Sequence, residues 1–142
     1  MITLRHVGLI VNNIEKSLNL YDSIFGFKPK VDQVESGEFY EHLTGIKNGV
    51  ARTCKCYAEN GSCIELIEYV SHDPKNRYKG LLSSGFNHIA LNVSNLEEVE
   101  KKLKNLGINF INPPKFNDTK TAKVAFCEDF EGNLIELVQV YE

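Results

Sequence analysis

The chain carries one ten-residue phrase twice. HVGLIVNNIE at residues 6–15 aligns without a gap on HIALNVSNLE at 88–97, an offset of 82 residues. Repetition at this spacing constrains the fold more than any composition can. Each copy is one supersecondary unit, and two such units need each other, or a second chain, to bury their apolar faces. In both copies an apolar alternation runs into a helix start. Asn12 and Ser94 each stand three residues before a glutamate, Glu15 and Glu97, in the spacing of a capping box.

Helical periodicity follows in each half. Ile14, Leu18, Tyr21 and Phe25 recur at three and four residues before Gly26; Leu96, Val99, Leu103 and Leu106 do the same before Gly107. A second echo comes later. ENGSCIELIEY at 59–69 and FEGNLIELVQV at 130–140 both place a glycine turn ahead of an aliphatic run holding Ile-Glu-Leu, with Gly61 and Gly132, and Glu65 and Glu136, each 71 residues apart. Such turns between alternating runs read as hairpins. Each half is therefore expected to be a strand, a helix and three strands, giving an α+β fold of two tandem βαβββ modules.

The boundaries follow from composition. Residues 1–70 form module one, the turn-rich and charged stretch 71–85 is a linker, and residues 86–142 form module two, the whole being a single domain over 1–142. Pro113-Pro114 forbids helix there. The segment 32–52 leaves a strand, a short helix or a loop open.

Several function classes are excluded at this level. The 16 basic and 19 acidic residues give a net charge of -3 with no basic stripe, so a nucleic-acid partner is not expected. No apolar run has the length of a membrane span and the N-terminus is no signal peptide, which makes a cytoplasmic location the expectation. Cys54, Cys56, Cys63 and Cys127 lack zinc-site spacing and read as buried reduced thiols.

The polar residues that remain are placed unusually. His6 opens the first strand and shares its face with Gly8 and Ile10; His88 opens the second with Ala90, so both histidine faces are lined by small residues. Glu65 and Glu136 lie mid-strand between aliphatic neighbours. Carboxylates there are costly unless paired or coordinated. Two histidines and two glutamates at equivalent positions of a duplicated unit would converge if the halves join about a pseudo-twofold axis, and a divalent cation would satisfy all four.

With these motifs the chain resembles the vicinal oxygen chelate superfamily, which includes glyoxalase I, methylmalonyl-CoA epimerase, extradiol dioxygenases and the fosfomycin and bleomycin resistance proteins. HVGLIV, HIALNV, YDSIFGFK and VAFCEDFEGNLIELVQ carry the resemblance, which spans residues 4–140. It implies a cup-shaped mixed sheet around a metal cavity, with His6, Glu65, His88 and Glu136 as ligands of one divalent ion per site: nickel, zinc, cobalt, manganese or iron. It also implies a metal-dependent lyase or isomerase that moves a proton next to a carbonyl through a metal-stabilised enediolate on a small-molecule substrate, with Glu136 or Glu65 as the base.

The alternatives within the superfamily are an iron-dependent dioxygenase, an antibiotic-modifying transferase, or a non-catalytic binding protein that sequesters a small molecule. A homodimer is expected, as members commonly dimerise. Ile10 stands where bacterial glyoxalase I commonly has arginine, and Tyr69 where it often has asparagine, departures that point away from glutathione. Among Tyr40, His42, Arg52, Arg77, Lys120 and Lys123 as further pocket candidates, Arg52 suits an anionic substrate. Arg52 and Tyr69 are the expected substrate-binding residues.

Overall fold

The computed structural model describes all residues, Met1–Glu142, and the chain divides into two compact units, Met1–Asn76 and Arg77–Glu142. The division falls inside the 71–85 stretch. The first unit contains β1 (Val7–Ile10), α1 (Ile14–Ser23), β2 (Lys28–Glu35), α2 (Glu38–Thr44), β3 (Ala51–Tyr57) and β4 (Cys63–Tyr69). The second contains β5 (His88–Asn92), α3 (Leu96–Asn105), β6 (Lys115–Phe116), β7 (Ala122–Glu128) and β8 (Leu134–Val140). Each unit is thus the expected βαβββ module, with α2 added in the segment that the sequence left open.

The two sheets have one topology. Strand order is β1-β4-β3-β2 in the first and β5-β8-β7-β6 in the second, with β1 parallel to β4, β5 parallel to β8, and the other pairs antiparallel. In each unit the helix carries the chain from one edge strand to the other, β1 to β2 and β5 to β6, and the antiparallel run that follows returns the last strand to lie parallel beside the first. The antiparallel pair beside it is closed by a tight turn used twice. The Ala58 amide donates to Ser62 O and the Gly61 amide to Ala58 O; Asp129 to Asn133 O and Gly132 to Asp129 O repeat this 71 residues on. Gly61 and Gly132 sit at φ +87° and +80°, where a side chain would be strained.

Helix entry is duplicated in the same detail. The Ile14 amide donates to Glu68 Oε2 at 3.3 Å and the Leu96 amide to Gln139 Oε1 at 2.8 Å, so a polar residue three positions beyond each Ile-Glu-Leu glutamate ties the helix start to the sheet. The caps lie one residue later than the capping-box spacing suggests. Asn13 and Asn95 are the N-caps, in extended conformation, and accept from the Lys16 and Glu98 amides at 3.0 and 3.1 Å. Their carboxamides reach the third helical amide directly, which releases Glu15 for another partner.

One face of each sheet is packed against its helix. In the first unit Ile14, Leu20 and Tyr21 of α1 are buried with Cys54, Cys56, Ile64 and Leu66; in the second Leu96 and Leu103 of α3 are buried with Ala125, Cys127, Ile135 and Leu137. All four cysteines are buried free thiols. Burial pushes the Cys56 and Cys127 thiols up to about 12. Strand β2 is the outer strand of its sheet and is interrupted between Pro29 and Val31 by a register shift. No helix is long and apolar enough to cross a membrane.

Candidate metal centre

The strand register decides which side chains share a face with the glutamates. Gly8 pairs with Glu65 in the parallel ladder and Lys55 pairs with Glu65 in the antiparallel one, so His6, Gly8, Ile10, Lys55, Thr53, Glu65, Ile67 and Tyr69 line one side. This is the side turned away from α1. In the second sheet Ala90 and Phe126 both pair with Glu136, which puts His88, Ala90, Phe126 and Glu136 together on the corresponding side.

Each sheet brings one imidazole to one carboxylate. His6 Nε2 lies 3.6 Å from Glu65 Oε2, and His88 Nε2 lies 3.3 Å from Glu136 Oε2. Both separations exceed a good hydrogen bond. Two donors held about 2.1 Å from one cation stand about 3.0–3.4 Å apart at octahedral or tetrahedral angles, so the pairs have close to the spacing of neighbouring ligands. Imidazole nitrogen and carboxylate oxygen are also the donors that zinc, nickel and ferrous iron accept. No group of three or more histidines, cysteines or carboxylates that could hold a metal ion forms in the chain.

The two half-sites differ in what surrounds them. In the first, Lys55 Nζ lies 3.4 Å from Glu65 Oε2, and the Glu65 side chain is 13% exposed. The His6 Nδ1 atom is buried with no hydrogen-bond partner. In the second, the place of Lys55 is taken by Phe126, whose ring meets His88 edge-on at 5.3 Å between centroids, and Glu136 is 26% exposed. One half-site is charged and the other aromatic.

Tyr69 lies on the Glu65 side of its sheet, where it accepts a hydrogen bond from the Tyr40 hydroxyl of α2 at 3.2 Å. Burial first, then that bond, raises the Tyr40 phenol above its ordinary value, with Glu35 and Glu65 adding to the shift. This hydrogen bond ties α2 to the Tyr69 end of β4.

Arg52 does not reach the Glu65 face. It pairs with Glu68 and so points to the α1 side, where its Nε and Nη2 donate to the two oxygens of Asp32 at 3.0 and 2.7 Å and its Nη1 pairs with Glu15. These carboxylates raise the guanidinium further above its already high value. The substrate role expected of Arg52 is thus corrected: its fork is filled by the protein. The cation on the Glu65 face is Lys55, three residues on, which sequence reasoning missed. The signal that finds it is strand parity counted back from Glu65 through the turn at 58–62.

Known proteins share this arrangement of strands. A solved glyoxalase family protein from Bacillus cereus superposes with a TM-score of 0.91 over 100% of this chain and 96% of its own, at 15% identity. FosX, a fosfomycin resistance protein from Listeria monocytogenes solved with Mn(II) and sulfate, superposes with a TM-score of 0.65 over 99% of this chain and 95% of its own, at 19% identity. In sequence, a probable lactoylglutathione lyase from Synechocystis is 29% identical over 137 residues, covering 96% of this chain and 94% of that protein. The model of the glyoxalase/bleomycin resistance protein/dioxygenase superfamily matches residues 3–137, nearly the full length. By that match, and with the duplicated fold behind it, the chain belongs to the glyoxalase/bleomycin resistance protein/dioxygenase superfamily.

Proposed function

We propose that the protein is a metal-dependent lyase or isomerase of the glyoxalase type, moving a proton at the carbon next to a carbonyl in a small-molecule substrate. The observation that carries this reading is the repeated imidazole–carboxylate pair, at 3.6 and 3.3 Å, on equivalent strands of the two modules. His6, Glu65, His88 and Glu136 would hold one divalent ion: zinc, nickel, cobalt, manganese or iron. When bound, such an ion polarises the carbonyl and supports the negative charge that proton removal creates.

The chain's own residues divide the remaining work. Glu136, beside His88 and with the larger exposure of the two glutamates, is the freer carboxylate and takes the proton. The electron pair left on carbon delocalises into the carbonyl oxygen. Glu136 then returns the proton to the neighbouring, former carbonyl carbon, while the hydroxyl proton of the first carbon passes to the former carbonyl oxygen, which completes an isomerisation. Glu65, tethered by Lys55, stays in place. Tyr69 and Tyr40 offer hydroxyls to the substrate's oxygens, and Ile10, half exposed on the same face as His6, presents hydrocarbon to it. The relative named lactoylglutathione lyase supports the reaction class; Ile10 and Tyr69 favour a small carbonyl compound or a keto or hydroxy acid over glutathione adducts.

We also propose a homodimer in a reducing, cytoplasmic setting. Four free buried thiols suit that compartment, and the edge strands β1 and β5 leave backbone for a partner to cover. Sedimentation should give twice the 16.1 kDa chain mass.

The deciding experiment is solvent exchange. Protein loaded with each of the five metals in turn is incubated in deuterium oxide with a panel of small carbonyl compounds, and loss of the α C–H signal is followed by NMR. Exchange above the blank, lost on chelation and reduced at least about a hundredfold in Glu136→Gln, is the expected result. A protein that binds a full equivalent of metal yet exchanges nothing in the panel would overturn the lyase or isomerase reading.

A further inference from the structure

The residue before each ligand histidine is different. Arg5 precedes His6 and Asn87 precedes His88. The Asn87 carboxamide has its orientation set from behind: Nδ2 donates to Gly80 O at 2.7 Å and to Ser83 O at 3.1 Å. Both of its N–H groups are thereby used on carbonyls, so the atom facing His88 Nδ1 at 2.9 Å is the oxygen. A carboxamide oxygen has no proton to give, so Nδ1 of His88 carries the hydrogen of that bond. In the neutral ring the lone pair is then on Nε2, the nitrogen that lies 3.3 Å from Glu136.

The support behind Asn87 is itself a closed turn. The Ser83 amide donates to Gly80 O at 2.9 Å and the Gly80 amide to Ser83 Oγ at 2.8 Å. The Phe126 ring stands edge-on to the imidazole at an interplanar angle of 76°, opposing rotation of the ring about its long axis. Nothing equivalent acts on His6, whose Nδ1 is buried without a partner. One imidazole is preset and the other is not.

We infer that Asn87 is a positioning residue: anchored to the 80–83 turn, it holds His88 in the Nδ1–H tautomer so that the Nε2 lone pair faces the ligand side. This rests on the proposed metal-dependent function for its purpose, though not for its first test. An ion met by a ring already in the right tautomer and orientation avoids the cost of selecting them, and loss of such a support typically lowers metal affinity roughly 10- to 100-fold. The 71–85 stretch is thereby given a task beyond connection, since its Gly80–Ser83 turn aims a ligand.

The test begins with the metal-free native protein, selectively labelled with 15N-histidine, at pH 8.5. Long-range 1H–15N correlation should show His88 with a protonated Nδ1 and an unprotonated Nε2, against the Nε2–H preference of histidine in water. An Nε2–H ring in the native protein overturns the inference with no variant needed. In Asn87→Ala, with an unchanged far-ultraviolet spectrum and unchanged His6 resonances, the His88 ring should revert to Nε2–H. Its Zn2+ affinity, measured by competition with a chromophoric chelator, should fall roughly 10- to 100-fold. An Asn87→Ala protein that keeps the Nδ1–H ring, or matches the parent in Zn2+ affinity within twofold, also overturns it. If the native protein shows the Nδ1–H ring yet binds no Zn2+, Co2+, Ni2+, Mn2+ or Fe2+, the tautomer assignment stands and the metal-dependent function falls.

Discussion

Arg52 and Lys55 stand three residues apart on one strand and point to opposite sides of the sheet. Arg52 is opposite Glu68 and is clamped by Asp32 and Glu15 on the helix side; Lys55 is opposite Glu65 and meets it on the other side. The first cation belongs to the scaffold, and the second stands beside a carboxylate of the proposed site.

Replacing Arg52 should therefore cost stability and spare chemistry. Arg52→Met is expected to lose about 1 kcal/mol, a modest figure because Asp32 and Glu15 are well exposed and water screens the pairs. Any solvent-exchange activity should stay within twofold. The loss should depend on pH. Arg52, by hydrogen bonding first, holds the Asp32 carboxyl below its ordinary 3.8, so the stability from this pair is full above that value and disappears as pH falls through the lower folded value. Urea titrations of both proteins at pH 7 and below pH 3 check this: the gap should narrow in acid.

Lys55 acts in the reverse sense. Its ammonium sits beside a carboxylate that the proposed function assigns to a cation, and like charges repel at that range. Lys55→Met should raise Zn2+ affinity by up to about tenfold, read by chelator competition, with the melting temperature changed little. Weaker binding in the variant would remove Glu65 from the ligand set.

The thiols should be silent. With all four cysteines buried, and those of Cys56 and Cys127 pushed up to about 12, a disulfide reagent at pH 8 should titrate none of them in the folded protein. All four should react once denaturant is added.

The helix caps provide a finer check. Asn95→Ala should cost about 1 kcal/mol, whereas the exposed Ser94→Ala should stay within about 0.5 kcal/mol. Equal losses would restore the capping-box assignment to Ser94.

The repeat itself was legible because it is written in local patterns. Alternation after His6 and from His88 gave β1 and β5, three- and four-residue spacing gave α1 and α3, and Gly61 and Gly132 gave the turns. The duplication pointed to convergence of all four residues, His6, Glu65, His88 and Glu136; the structure brings His6 beside Glu65 and His88 beside Glu136. What could not be read was parity across β3. Its faces are fixed by pairing Tyr57 with Cys63 around the 58–62 turn, and a slip of one residue would exchange the positions of Arg52 and Lys55. The cap position failed for a related reason, since two adjacent polar residues, Asn12-Asn13 and Ser94-Asn95, are both competent and backbone geometry chooses between them. Asn87 was missed because its partners, Gly80 and Ser83, are carbonyls in a stretch with no periodic signal.

The interruption in β2 bears on how the chain behaves in company. This outermost strand leaves Val31 and Val34 exposed, which would make its free backbone a template for strands of other molecules. Pro29 withholds a donor, the shift beside it breaks the regular ladder, and Lys28, Lys30, Asp32 and Glu35 surround the valines with charge. A concentrated solution of folded chains is thereby guarded against fibrous growth along this rim.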